Sequence, residues 1–151
     1  MENRTGTRFP PPLVPVAAVG IGAFAVIWIP RWPVGLPWII AGGALFALAA
    51  SFAAWALVLM RVRRTTPSPF GAASTLIMTG PYRYSRNPMY CALILAQAAA
   101  GLSFGLLVTL GLLPLSVGLF DCFVIRREEE FLRTVFPKEF DAYASRVRRW
   151  I

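Results

Sequence analysis

Histidine is missing altogether from the 151-residue sequence. With it go the commonest general base and the commonest metal ligand, so Ser-His-Asp hydrolysis and zinc-hydrolase chemistry are excluded. Cysteine is scarce: Cys91 and Cys122 lie inside apolar runs, form no CxxC pair and read as small buried hydrophobes. Charge is scarce too. Only 15% of residues are charged, against about a quarter in a soluble domain. Seven acids face fifteen basic residues, and the net charge of +8 would suggest nucleic acid on a soluble chain. No groove-reading or base-stacking module accompanies that charge. The arginines instead stand at the ends of apolar runs, where they set topology and meet anionic lipid headgroups. Hydrophobic residues make up 57% of the chain, with mean hydropathy +0.61. These features predict a single membrane domain over residues 1–151, with the lipid bilayer as its main partner and no nucleic acid.

The apolar residues fall into runs at about 13–29, 37–60, 88–103 and 105–126. The first, uncharged from Leu13 to Ile29, reaches roughly 25 Å as a helix, enough to cross a membrane with little tilt. Arg4 and Arg8 precede it as they would a signal peptide, but Trp28, Pro30, Arg31 and Trp32 follow instead of a cleavage site, so it reads as a retained span. The second carries Gly42, Gly43, Ala47, Ala50 and Ala54, small residues suited to close helix contact. The third and fourth form a hairpin turning near Gly101, Ser103 and Gly105, with a kink expected at Pro114. Fourteen of the fifteen basic residues lie in the two tails or the middle loop. The positive-inside rule then places both termini and that loop in the cytoplasm, with the chain in the cytoplasmic membrane.

After the fourth run, apolar residues recur at helical spacing: Phe131, Leu132, Val135 and Phe136, then Phe140, Tyr143, Ala144 and Val147. Pro137 suits the first turn of a second short helix. Cytoplasmic helices over about 127–149 are expected to lie on the membrane face, with Trp150 as an interfacial anchor. The predicted fold class is an all-α integral membrane protein with four transmembrane helices and amphipathic helices on the cytoplasmic side.

Two polar clusters flank the hairpin's open end. One lies in the stretch GPYRYSRNPMY, with Tyr82, Arg83, Arg86, Asn87 and Tyr90; the other is Arg126, Arg127, Glu128, Glu129 and Glu130. The hairpin would bring them together, with the helices after it as a lid over a pocket. Topology signals and solvated ion pairs would give the same residues. Asp121 stands apart, about a turn inside the fourth run, where an acid needs a partner; an arginine near the same face is the expected one.

The stretches TPSP, TLIMTGPYRYSRNPMY and EEEFLRTVFPKEFDAYASRVRRW together resemble the isoprenylcysteine carboxyl methyltransferase family, whose wider relatives include phospholipid N-methyltransferases. The chain looks like a short, bacterial-type member, and the resemblance runs from about Arg64 onward. It implies a multi-span bundle that binds S-adenosylmethionine at the cytoplasmic membrane face. Carried over by position, Ser74, Thr75, Leu76, Ile77, Tyr82, Asn87, Pro88, Met89, Tyr90 and Glu129 would bind that cofactor, with Glu128 and Arg126 as catalytic residues and no metal. Asn87 stands where the prenylcysteine enzymes usually have histidine, and Pro137 where glycine is usual. Val124 occupies the place of their substrate-binding arginine, which leaves Arg126 or Arg127 to serve instead. The resemblance implies methyl transfer to a lipophilic or membrane-associated acceptor, an isoprenylcysteine carboxylate or a lipid-like amine or carboxylate. A small four-span transporter subunit and a non-catalytic membrane scaffold are the alternatives.

Overall fold

The computed structural model describes residues 10–63 and 76–151, and every regular element among them is helical. Helix α1 covers Leu13–Ala25, α2 Leu36–Val62, and a short 3₁₀ turn Gly80–Arg83 leads into α3, Pro88–Phe104. Then come α4 (Leu107–Gly111), α5 (Leu113–Phe120), a π-helical turn at Asp121–Ile125, α6 (Arg126–Val135) and α7 (Pro137–Ala144). Proline stands at the first or second position of α2, α3, α5 and α7. Its missing N–H costs nothing there, because those donors have no intrahelical acceptor. Among the described residues, α2 is the one helix long and apolar enough to cross a membrane; α1 and α3 are apolar but shorter.

The central contact is α2 against α3. The buried residues of α2 are Gly42, Ala49 and Ala56, spaced by seven, which keeps them on one face over successive pairs of turns. This differs from the expected small face: Gly43, Ala47, Ala50 and Ala54 are exposed. A Cβ on Gly42 would collide with Ser103 Oγ and come within 2.9 Å of the Ala99 carbonyl. Gly42→Val is therefore expected to push α2 off α3 and destabilise the protein by about 1–3 kcal/mol, while Gly43→Val, with nothing near its Cβ, leaves it unchanged. Thermal unfolding in detergent distinguishes the two.

The hairpin turn falls at Gly105, whose φ of +66° is left-handed and whose missing Cβ makes room for the Trp32 carbonyl and Val34. Beyond it, the helix is interrupted rather than kinked. Leu112 sits at φ −82°, ψ −5°, ending α4, and Pro114 lies in the first turn of α5. The proline ring excludes a helical carbonyl four residues before it, so the chain breaks ahead of Pro114. Helix α4 packs on α1 where Gly22 gives space to Thr109, whose hydroxyl donates to the Ala18 carbonyl at 3.3 Å.

The apolar face of helix α7 is turned into protein. Phe140 and Tyr143 of α7 are 1% and 4% exposed, packed with Ala56, Ile77 and Tyr82. Burial in protein satisfies the same amphipathic pattern that a lipid surface would. The ion pair of Arg133 with Asp141, at 3.2 Å, and the Arg133 guanidinium over the Phe140 ring join the two helices. Trp150, partly buried, packs against the cluster of Tyr90, Phe120, Val124 and Ile125.

Candidate functional site

The GPYRYSRNPMY stretch is folded by its small residues. Gly80 takes φ +62°, a conformation that glycine reaches without strain, and a Cβ there would press on Leu59 and Trp55 at 3.0 and 3.1 Å. The turn it starts buries Pro81 and Tyr82. Ser85 is fully buried; its hydroxyl accepts the Asn87 N–H at 3.0 Å and donates to the Arg149 carbonyl at 3.2 Å. The Asn87 amide donates to that same carbonyl at 3.0 Å, and the Arg86 N–H to the Arg148 carbonyl at 2.9 Å. The segment after α7 thus lies across the entrance to α3.

The carboxylates come from the other side. At the π-helical turn the Arg126 N–H bonds to the Asp121 carbonyl, five residues back. One extra residue in a turn rotates everything after it by roughly 100° relative to an unbroken α-helix. Adjacent helical residues themselves point about 100° apart, and Glu128 and Glu129 meet different surroundings. Glu128, half-buried, accepts the Tyr90 hydroxyl at 2.9 Å. Glu129, 4% exposed, receives Arg86 Nη1 at 3.1 Å and Arg149 through Nη2 at 2.7 Å and Nε at 3.2 Å. The third nitrogen of Arg149, Nη1, bonds Asp121 at 2.8 Å, and Arg126 Nε reaches the other oxygen of Asp121 at 2.9 Å. The acid inside the fourth apolar run therefore has the arginine partner expected for it, twice over.

Electrostatics separate the two glutamates. Burial pushes the Glu128 carboxyl up to about 7; the Tyr90 hydrogen bond opposes the shift and the charge of Glu129 adds to it. Arg149 is held above its ordinary range, chiefly by its hydrogen bonds to Glu129, so it stays charged. Tyr82 is raised by burial first, and then by Tyr143 and Glu128, which keeps its phenol neutral. The Tyr143 hydroxyl donates to the Tyr82 carbonyl at 2.7 Å and holds that residue in place.

Of the residues singled out from sequence, Ile77, Tyr82 and Met89 meet in one apolar cluster with Leu76 beside them, and Tyr90 joins Glu128. Pro88 is buried at the start of α3. The Asn87 side chain is engaged by the backbone of Arg149. Ser74 and Thr75 lie outside the described residues. Arg126, 64% exposed, goes to Asp121 rather than to Glu128, and with Glu129, Glu130, Arg133 and Arg149 it lines an open cleft of about 480 Å3. Val124 is fully buried among Phe120, Ile125 and Tyr90, so that position does not open on the cleft.

Arg149 is the residue that sequence reasoning missed. The signal was present in the need of Asp121 for a cation, but nothing local tied that need to a residue 28 positions away. Two buried groups in this region have no hydrogen-bond partner, the Tyr82 hydroxyl and Arg86 Nε. Unpartnered buried donors are uncommon in folded proteins and call for an explanation. Here Tyr82 feels the charge of Glu128, and Arg86 holds the neighbouring Glu129 through Nη1.

The chain is similar to the cobalt-zinc-cadmium resistance protein CzcN of Cupriavidus metallidurans, at 37% identity over 74 residues, 49% of this chain and 34% of the relative. It thus spans about a third of the length of that curated relative. No solved structure gives a significant match. Residues 37–139, which run from the start of α2 into α7 and include the carboxylate and tyrosine pair, match the phospholipid methyltransferase family, and the chain belongs to that family.

Proposed function

We propose that the protein is an integral membrane methyltransferase that takes its methyl group from S-adenosylmethionine and passes it to a lipophilic amine. The observation that carries the reading is the Glu128 carboxylate, half-buried and bonded to Tyr90, beside the unpartnered Tyr82 hydroxyl. The residues present suit the cofactor. Arg86 Nε is a buried donor in want of an acceptor, which a carboxylate supplies. Leu76, Ile77, Tyr82 and Met89 form the apolar wall against which an adenosyl group would lie. The cofactor supplies an activated methyl group on a sulfonium, whose transfer requires alignment rather than a metal.

An amine acceptor must lose a proton, and Glu128, shifted to about 7, is placed in the range in which a carboxylate serves as a base at neutral pH. The apolar burial of Val124 argues against prenylcysteine, whose carboxylate would look for an arginine at that position. Membrane embedding is supported by α2 and by the large apolar side chains exposed along α1 and α2, among them Val16, Ile21, Phe24, Ile40, Phe46, Leu48 and Trp55. In this reading α1, α2, α3 and the interrupted α4–α5 are the four spans, with both termini cytoplasmic. The transporter alternative loses its one acid within a span, because Asp121 is already paired with two arginines.

Calorimetry on detergent-purified protein tests the proposal. Wild type is expected to bind S-adenosylmethionine, and Arg86→Lys to bind it about tenfold more weakly, the loss of a hydrogen bond to a charged group. Folded wild type that does not bind sinks the reading. Methyl transfer to amphiphilic amines in mixed micelles, in preference to water-soluble ones, tests the acceptor class.

A further inference from the structure

We infer that residues 145–151 form a strap that lifts to let a ligand enter or leave the site, and that Arg149 and Trp150 latch it shut. The inference rests on the methyltransferase reading above for the identity of that ligand. The strap itself lies beyond position 139, where the family match ends.

The segment leaves α7 after Ala144 and forms no helix of its own. It runs over both apolar clusters that hold the site's tyrosines. Val147 packs on the cluster of Ile77, Tyr82 and Phe140, and Trp150 on that of Tyr90, Phe120 and Val124. Between these contacts its backbone is tied to the turn that joins the two tyrosines. The Arg148 carbonyl accepts the Arg86 N–H at 2.9 Å, and the Arg149 carbonyl accepts the Ser85 hydroxyl at 3.2 Å and the Asn87 amide at 3.0 Å. Arg149 then fastens the segment to the carboxylate side. Its Nη2 and Nε grip the two oxygens of Glu129, and its Nη1 reaches Asp121. The strap therefore closes the seam between the tyrosine-bearing turn and α6.

Beneath it the molecule is shut. Tyr82 and Tyr90 are 8% and 7% exposed, and the Tyr82 hydroxyl is buried without a partner. A ligand reaches these tyrosines only when something packed on them moves. Besides the strap, α3 touches both clusters, through Met89 and Leu93. It is a 17-residue helix with its own hydrogen-bond ladder. The strap has no such ladder, and its latching side chains, Arg149 and Trp150, are only half-buried. Irregular segments held by solvent-accessible contacts open locally at the lowest cost.

Stopped-flow S-adenosylmethionine binding to detergent-purified wild type, Arg149→Gln and Trp150→Ala tests the strap. Thr109→Ala, at the α1–α4 contact away from the site, is the control. Loosening the latch raises the open fraction of free and bound protein alike. Association and dissociation are therefore both expected to quicken, by about tenfold in Arg149→Gln, the scale of one hydrogen bond to a charged group. Kd then stays within about threefold of wild type. Trp150→Ala, which removes an apolar contact and no charge, should act in the same direction. A residue that merely supports the site behaves differently: its loss speeds dissociation alone, and Kd rises in proportion. Amide exchange at Arg86, whose N–H is held by the strap and lies outside any helix, reads the opening without cofactor and should quicken in both variants. Unchanged association in both variants, unchanged Arg86 exchange, or an equal quickening in Thr109→Ala each overturns the strap and leaves the methyltransferase reading standing. Folded wild type without affinity overturns that reading, and the strap's part in ligand passage with it.

Discussion

Glu129→Gln is expected to be the most damaging single change in the molecule, costing about 3 kcal/mol of stability or more. The glutamate is 6% exposed at its side chain and holds Arg86, 13% exposed, together with Arg149, 31% exposed. Removing its charge leaves two guanidinium groups facing each other across a neutral amide. Arg149 is open enough to be rehydrated and keeps Asp121, so most of the penalty falls on Arg86. Breaking a buried pair from one side incurs the full desolvation penalty of the stranded ion, which exceeds what the intact pair contributes. For a chain of this length the drop in Tm should be roughly 6–12 °C, at 2–4 °C for each kcal/mol. Thermal unfolding in detergent measures it, with Glu130→Gln, at an exposed position on the same helix, as the comparison. Equal behaviour of the two would show that the buried ion pairs contribute little.

The second large effect is an inverted pH dependence. Carboxylates that gain partners on folding usually stabilise a protein as pH rises. Glu128 does the reverse, because its folded value near 7 lies above its ordinary 4.5. Below 4.5 both states hold the proton. Between 4.5 and 7 the folded protein keeps a proton that the unfolded chain has released, so stability falls with rising pH through that window and levels off above it. At about 1.4 kcal/mol for each pH unit that the window spans, the loss totals about 3 kcal/mol. The absence of histidine leaves this window clear of the side chain that most often titrates there. Tm measured at pH 5 and pH 8 should therefore drop in wild type, and Glu128→Gln, a mimic of the protonated acid, should lack that drop and be the more stable of the two at pH 8. A wild-type Tm that rises over the same interval would refute the assignment.

These effects turn on two adjacent glutamates that a sequence presents as a pair. From the sequence they are one acidic cluster after an apolar run. In the folded protein one meets a tyrosine and the other two arginines. The π-helical turn at Asp121–Ile125 accompanies that separation, and a shift of backbone bonding from the fourth residue back to the fifth has no residue signature of its own. The same holds for α2, where many small residues were visible but the packed face is Gly42, Ala49 and Ala56. A helix that is small and apolar on every side leaves its rotation to its partner.

The all-helical class, the proline that opens α7, the hairpin near Gly105 and the approach of the Tyr90 and Glu128 clusters followed from the sequence by itself. Each is set by local chemistry: fixed φ at proline, free φ at glycine, and apolar runs whose ends carry the charge. The burial of α7 in protein and the placement of Arg149 were decided only by the tertiary structure. The arginine shows why most plainly. Its two carboxylate partners lie 20 and 28 residues away, and which of several arginines reaches them depends on where the backbone of the last segment is clamped, a long-range choice that no local pattern encodes.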